Sequence, residues 1–180
     1  FIIILLSVMA CICSCSVDKY VPEGSYYLKE VKVTSKDDKV LKRYSLSSYV
    51  QQSTNKKIFG IKIPLKVYSL SGTDTTKWIC RTIRKLGEAP VLYDSIKADR
   101  TERDIMQTLG NAGYMKSSIE QTKSINGKKL SITFNVDPKT RYYIRNVKRE
   151  IIDEGLRDII CGDDTINSLL HSDMPFDINT

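Results

Sequence analysis

Hydrophobic and polar positions follow two different periods in the second half of the chain. Ile105, Met106 and Leu109 have the spacing of one face of a helix. From Leu130 to Val136 every second residue is apolar, which is typical of a strand with one buried face. The pattern therefore predicts a helix followed by a core strand.

Local signals mark the ends of these two elements. Asp99 followed by Glu102 predicts a capping box at the start of the helix, and Gly110 or Gly113 is expected to end it in the left-handed conformation. Asn126-Gly127, just before the strand, predicts a hairpin with a type I′ turn, which requires positive φ at both central residues.

The strand on the other side of that turn is predicted from Ser117 to Ile125 and is rich in polar and charged residues. Such side chains suit an exposed sheet edge. An exposed edge binds another extended chain through backbone hydrogen bonds, with little demand on side-chain identity. Proline at Ile119 or Thr122 is expected to weaken the binding of an extended chain to this edge while the domain stays folded. The candidate binding residues are Ser118, Ile119, Glu120, Gln121, Thr122 and Lys123.

A seven-residue sequence occurs twice in the chain. Tyr26 to Lys32 recurs as Tyr142 to Lys148, with four identical positions. Each copy opens a segment with strand character, predicted as Tyr27 to Thr34 in the first and Tyr142 to Ile151 in the second. The repeat indicates two tandem copies of one small α+β module.

Two helices are predicted between the first strand and the long helix. A polar loop is expected at Ser35 to Lys39, followed by a short helix from Ser45 through Gln52 with Ser45 as its N-cap. The second helix has its caps in residues 73–75 and ends at Gly87. Its apolar stripe consists of Trp78, Ile79, Ile83 and Leu86.

The segment Asn55 to Gly72 supports two interpretations. Apolar and polar residues alternate from Ile61 to Val67, as in a strand, whereas Phe59, Ile63 and Val67 have helical spacing. Pro64 argues against both a central strand and the middle of a helix. We expect a second core-packing segment here, and the mixture of basic and apolar residues also suits a membrane surface.

Charge is distributed unevenly along the chain. The net charge is +7, and Leu28 to Leu86 contains 14 Lys and Arg against 4 Asp and Glu. This asymmetry fits a nucleic acid, an anionic membrane surface or a solvated basic face. Binding of a nucleic acid requires that the N-terminal segment is not an export signal, and it predicts an affinity that falls steeply with salt.

The N-terminal segment has the features of an export signal. Phe1 to Cys13 is apolar except for Ser7, which suits a signal-peptide core and is too short for a spanning helix of roughly 20 residues. Ile12-Cys13-Ser14-Cys15 fits the bacterial lipobox pattern, so Cys15 is the expected lipidation site, and Cys11 fits almost as well. A plain secretory signal or a hydrophobic N-terminal helix are the alternatives. Two or three acyl chains on one Cys make a durable anchor.

The residue types that carry catalysis or bind metals are sparse. The single His171 argues against a metal cluster and against a Ser–His–Asp arrangement. Cys80 and Cys161 stand far from any CxxC spacing. Cys80 is expected to be a buried small hydrophobic residue, and a disulfide with Cys161 is the alternative. We therefore expect no enzyme, no cofactor and no metal site.

Four short motifs occur along the chain in a characteristic order. They are Cys15-Ser16 with Lys19 to Gly24, Gln52 with Asn55 to Gly60, Gly87-Glu88 with Pro90 to Asp94, and Gly113-Tyr114. Together they resemble the POTRA region of the BamA/TamA family of outer-membrane assembly proteins, with TamL, the lipoprotein form of TamA, as the nearest member. The resemblance covers most of residues 15–180, and the basic insert near 53–72 departs from it.

The resemblance implies an α+β fold of tandem POTRA-like modules, each with the order β-α-α-β-β. Each module has a small three-stranded mixed sheet with helices on one face. The expected organisation is a signal peptide with lipobox at 1–15, a tether at 16–25, a first module at 26–138 and the start of a truncated second module at 141–180. The chain lacks an initiator Met, so we expect it to be a fragment of a longer protein.

The implied function is non-enzymatic. A lipid-anchored protein at the cell outer membrane, facing the periplasm, would capture extended client or partner chains and feed a β-barrel beyond residue 180. The implied partners are unfolded outer-membrane or secreted proteins, TamB-like or other assembly subunits, and the membrane, but not nucleic acid. The alternative is an exported lipoprotein whose modules bind an unrelated envelope partner or ligand. Strands of roughly ten residues with alternating hydrophobicity beyond residue 180 would indicate a membrane β-barrel and so favour the assembly function over this alternative.

Overall fold

The computed structural model describes residues 17–72, 76–148, 150, 152 and 171–178. The predictions for the signal segment, for Cys15 and for the helix caps at residues 73–75 lie outside this part of the chain. So do Cys161 and most of the second module.

Three strands form one mixed sheet in the order β1-β3-β2. β3 is parallel to β1 and antiparallel to β2, with which it forms a hairpin. The α+β class and the small three-stranded mixed sheet are therefore confirmed. The strands are β1 (Tyr27–Ser35), β2 (Ser118–Asn126) and β3 (Lys129–Asp137).

Within the described residues, four α-helices and two 3₁₀ turns accompany the sheet. The 3₁₀ turns are Val17–Tyr20 and Leu46–Tyr49. The α-helices are α1 (Asp38–Arg43), α2 (Ile63–Leu70), α3 (Trp78–Leu86) and α4 (Ser95–Asn111).

The core lies between β3 and α4. Leu130, Ile132, Phe134 and Val136 are all buried, as the alternation along the strand predicts. Residues of α4, among them Ile105 and Leu109, are buried against this face of the sheet.

The opposite face of the sheet carries a polar ladder across all three strands. Thr34 Oγ1 donates to Asn135 Oδ1 at 2.9 Å, and Asn135 Nδ2 donates to Thr122 Oγ1 at 2.8 Å. The core thus lies on one face of the sheet, and polar side chains occupy the other.

The long helix begins earlier than predicted. α4 starts at Ser95, and the carboxylate of Asp94 accepts hydrogen bonds from the backbone N–H groups of Ile96 and Lys97. The capping box at Asp99 is therefore wrong. The predicted stop is confirmed at Gly113, where φ is +88°.

The hairpin turn differs from the predicted type. Asn126 pairs with Lys129, so Gly127 and Lys128 are the two central residues. Gly127 has a positive φ of +58° and Lys128 does not. Glycine at the first central position is the pattern of a type II′ turn, so the type I′ prediction is wrong.

The segment after β1 also differs from its prediction. The loop predicted at Ser35 to Lys39 ends at Asp37, where α1 begins, because the side chain of Asp37 caps the helix by accepting from Lys39 N–H at 2.9 Å. Ser45 adopts a left-handed conformation and makes no capping hydrogen bond with its side chain. The predicted helix Ser45 to Gln52 is reduced to the single 3₁₀ turn.

The helical interpretation of the insert is the right one. Pro64 lies in the first turn of α2, where its missing N–H has no partner to lose. Leu65 is buried in a small cluster with Val21 and Tyr27, which confirms a core-packing segment. Val21 belongs to the stretch predicted as a tether, and that stretch packs on the module.

A strand was predicted at Tyr142 to Ile151, and residues 142–148 and 150, the part of this range that the structure describes, form none. Within the described residues, Tyr143 makes an isolated bridge to Pro175, which has no N–H to extend a ladder. Tyr142 N–H donates to the carbonyl of Gly113 at 2.8 Å. A Cβ at residue 113 would lie 2.5 Å from the carbonyl oxygen of Phe176, so glycine is required at this contact.

Candidate peptide-binding edge

β2 lies at an edge of the sheet. It pairs with β3 on one side, and no strand of the described residues pairs with its other side. All six candidate binding residues, Ser118 to Lys123, belong to this strand. The structure therefore places them together on the predicted edge, while their role in binding stays a prediction.

The register shows which backbone groups of β2 face outward. The carbonyl oxygens of Lys128 and Val136 accept hydrogen bonds from Tyr27 and Lys36, so even-numbered residues of β3 direct their backbone groups toward β1. The odd-numbered residues of β3 then face β2, and they lie opposite the even-numbered residues of β2. The N–H and C=O groups that point to the open edge belong to Ile119, Gln121, Lys123 and Ile125.

Three of the six candidates therefore offer backbone groups to a partner. Ser118, Glu120 and Thr122 use theirs in the ladder with β3. Proline at Thr122 would remove a ladder hydrogen bond to β3, so on this geometry we expect it to destabilise the module as well as to weaken binding. Ile125 was not among the six candidates, although strand alternation extended to the hairpin would have found it.

The residues of β2 whose backbone groups point to the open edge direct their side chains to the face of the sheet that α4 covers. These side chains hold β2 in place. Gln121 Nε2 donates to Glu102 Oε2 on α4 at 2.6 Å. Lys123 Nζ lies 5.4 Å from the ring centroid of Tyr93, within range of a cation–π interaction. Ile119 packs against both larger core clusters. The edge is thus held in place before a partner binds, which lowers the entropy lost on binding.

The first half of the opposite edge, on β1, is covered. Leu28 N–H donates to the carbonyl of Val91, and Tyr93 N–H donates to that of Tyr26, both at 2.8 Å. Lys62 Nζ donates to the carbonyl of Lys29 at 2.6 Å, at an irregularity in the β1 ladder. No strand of the described residues pairs with the outer side of β2 at any point along it, so β2 is the better site for an added strand.

Lys62 and Tyr27 form a polar contact beneath this cover. Lys62 Nζ donates to Tyr27 Oη at 2.7 Å. Burial, together with the charge of Glu88, raises the pKa of Tyr27 to about 12. Burial and the neighbouring charge of Lys57 lower the pKa of Lys62. The phenol therefore stays protonated at neutral pH and accepts this hydrogen bond without competing for the proton.

A pair of lysines neutralises the carboxylate at the end of β3, opposite the first residue of β2. Asp137 Oδ2 lies 2.6 Å from both Lys36 Nζ and Lys139 Nζ. Hydrogen bonds from Lys139 and then Lys36 lower the pKa of Asp137 to about 2. The carboxylate is consequently ionised at neutral pH.

Two of the sequence motifs that carry the family resemblance lie against each other. Asn55 is buried, donates to the carbonyl of Ala89 at 2.7 Å and accepts from Val91 N–H at 3.1 Å. Gln52 donates to the carbonyl of Leu92 and accepts from Asp94 N–H. The two side-chain amides thus take the place of a neighbouring strand for residues 89–94.

Replacement of Asn55 by Ala is expected to destabilise the fold by about 1–3 kcal/mol, because a half-buried N–H at Val91 loses its acceptor. Urea denaturation followed by circular dichroism measures the change. Lys56→Ala is the matched control, since its exposed side chain is adjacent in the chain. Equal stabilities for the two variants would show that the hydrogen bonds of the Asn55 side chain contribute nothing to the stability of the fold.

Metal-binding residue types and thiol groups also occur within the described part of the chain. The described residues contain no group of three His, Cys, Asp or Glu side chains placed to hold a metal ion. The Cys80 thiol is half-buried and unpaired there, less buried than predicted. None of the described helices combines the length and apolar character needed to span a bilayer.

The described residues define an α+β module whose mixed sheet offers one open antiparallel edge. No family model matches the sequence. The chain is similar to the crystal structure of Haemophilus influenzae BamA POTRA3-5, with 13% identity, over 88% of this chain and 84% of that one, at a TM-score of 0.33.

Proposed function

We propose that the chain is the periplasmic POTRA portion of an outer-membrane assembly and translocation lipoprotein, nearest to TamL. In this role β2 binds extended segments of unfolded outer-membrane or secreted proteins, or of TamB-like assembly subunits, as an added strand. The observation that carries the proposal is the row of outward backbone groups on Ile119, Gln121, Lys123 and Ile125.

Two further observations support this role. The side chains of β2 anchor it to α4 and Tyr93, so the edge does not have to be ordered by its partner. The motifs Gln52 to Gly60 and Gly87 to Asp94, which resemble the POTRA family, are held together by hydrogen bonds from the side-chain amides of Gln52 and Asn55.

The rest of the proposal depends on the sequence. The lipobox at Cys15 would anchor the protein in the outer membrane, facing the periplasm. The family resemblance implies a β-barrel beyond residue 180 that receives the captured chains. We propose no catalytic residue and no cofactor for this role.

Lys123→Pro tests the edge directly. Proline removes one outward N–H, and at an outward position of an edge strand it keeps the ladder with β3. We expect about tenfold weaker binding of a short extended peptide with alternating apolar and polar residues, because one backbone hydrogen bond and the close approach of the partner are lost. Lys123→Thr is the control, since it removes the same charge but keeps the N–H. Equal affinities of the two variants would contradict strand addition at β2.

Amide hydrogen exchange gives an independent measurement on the unmodified chain. Peptide binding is expected to slow exchange at Ile119, Gln121, Lys123 and Ile125, and to leave the already paired amides of Glu120 and Thr122 nearly unchanged. Protection of β1 amides instead would move the binding site to the other edge.

A further inference from the structure

α3 exposes its apolar side chains to solvent. Trp78 is 69% exposed, Ile79 is 53% exposed and Leu86 is 74% exposed. None of the nine residues of α3, all of them described, is buried. A short amphipathic helix with this exposure has an apolar face without a partner in the described part of the chain.

The orientation of α3 follows from its contacts with α2. Arg84 donates to Ser71 Oγ at 3.2 Å and to the carbonyl of Gly72 at 2.8 Å. At the end of α3, a Cβ at residue 87 would lie 2.5 Å from the backbone nitrogen of Tyr68. With about 100° between successive residues, Trp78 and Leu86 project on the opposite side of the helix. The half-buried side chains of α3, Cys80, Ile83 and Arg84, therefore lie toward α2, and Trp78, Ile79 and Leu86 stay exposed on the outer side.

Basic side chains border this apolar face. Arg81 and Lys85 are exposed on α3, and Lys66 is exposed on α2. Residues 28–86 contain 14 basic against 4 acidic side chains. A second copy of this chain would bring like charges together, whereas an anionic surface complements them.

A second apolar projection lies at one end of α3. Phe59 is 96% exposed and Ile61 is 49% exposed, in the tight turn between Ile58 and Ile61. Lys56 N–H donates to Glu88 Oε2 at 3.0 Å, which places this turn near the C-terminal end of α3. The turn and the helix thus offer apolar groups at neighbouring places.

Residues 17–20 pack on α2 and on the segment that leads from α2 to α3. Val17 packs on the cluster that contains Leu65 of α2, and Tyr20 Oη donates to the carbonyl of Gly72 at 3.0 Å. In the sequence Cys15 precedes Val17 by two residues, which span at most about 7 Å of extended chain. A lipid on Cys15 would therefore bring a bilayer close to α2 and α3.

We propose that the outer face of α3 binds the surface of a bilayer that contains anionic phospholipid. Trp78, Ile79 and Leu86 enter the boundary between headgroups and acyl chains, and Arg81 and Lys85 contact the phosphates, as in an interfacial amphipathic helix. The inference rests on the proposed function in one respect, which is the identity of the bilayer. It is the membrane that holds the lipid anchor on Cys15.

Trp78 is the single tryptophan of the chain, so its fluorescence reports this face alone. The full chain carrying Cys15→Ala is mixed with vesicles of phosphatidylcholine, with or without phosphatidylglycerol. We expect a blue shift of the emission and quenching by brominated acyl chains with phosphatidylglycerol vesicles, and much less of both without it. Arg81→Gln and Lys85→Gln are each expected to weaken vesicle binding about fivefold. Arg100→Gln and Arg103→Gln, which remove the same charge from α4, are expected to leave it unchanged.

Three results would overturn the inference. The first is unshifted emission while the chain sediments with the vesicles, because the N-terminal segment alone would then hold it. The second is a shift that appears without vesicles and grows with protein concentration, which assigns the face to a second copy. The third is a shift caused by an oligonucleotide and not by vesicles. Peptide binding to β2 is measured separately, so none of these results bears on the proposed function.

Discussion

Phe134→Ala is expected to lower the free energy of unfolding by about 3–5 kcal/mol, which is a large part of the total stability of a small domain. Phe134 is 1% exposed and lies at the centre of β3, among Leu28, Ala98 and Ile132. Its side chain fills the space between the sheet and α4, and alanine would leave a cavity that the surrounding strands cannot close.

Urea denaturation of the purified chain measures this loss. Thr133→Ala is the control, since residue 133 is adjacent and faces the polar side of the sheet. We expect the control to cost less than about 1 kcal/mol. Similar losses for both variants would mean that β3 has no single buried face.

The elements that sequence patterning predicts well are those whose signals are local. β3 and its hairpin follow from a period of two between apolar residues and from the glycine at position 127. The end of α4, two residues before Gly113, follows from the ability of glycine to adopt a positive φ. Each of these signals acts within a few residues of the element that it defines.

Two of the wrong predictions, the start of α4 and the helix at Ser45 to Gln52, depend on distant partners. Asp94 caps α4 where Asp99 was expected, and the backbone N–H of Asp94 is itself held by Gln52 Oε1 at 3.1 Å. Gln51 N–H donates to Thr101 Oγ1 at 2.9 Å, a contact 50 residues away in the chain. Such bonds keep residues 50–52 out of a helix that their periodicity alone would favour.

The candidate site was predictable as a strand but not as a set of backbone groups. Composition predicts that β2 lies at an edge, whereas the identity of its outward residues depends on the hairpin register and on the bond from Lys36 to Val136. The direction in which the apolar residues of α3 point was likewise not predictable from the sequence. Periodicity shows that Trp78 and Leu86 share a side of the helix, but only the contacts of Arg84 and Gly87 show that this side points outward.

Thr122→Pro is expected to destabilise the module by about 2–4 kcal/mol, through a lost ladder bond and an unpaired carbonyl on Thr133. The substitution also removes the hydroxyl that accepts from Asn135 Nδ2. Lys123→Pro, one residue later, removes an N–H that has no partner in the described sheet. We expect it to cost less than about 1 kcal/mol, because proline is tolerated at outward positions of edge strands.

The comparison of these two adjacent proline variants tests, without any ligand, which residues of β2 direct their backbone groups to the open edge. Urea denaturation gives the two stabilities, and Thr122→Ser serves as a control that keeps both the N–H and the hydroxyl. A larger loss for Lys123→Pro would reverse the assignment, and the outward groups would then belong to the even-numbered residues. Peptide capture would in that case have to be sought at Glu120 and Thr122, because an added strand pairs only with backbone groups that the sheet has left unused.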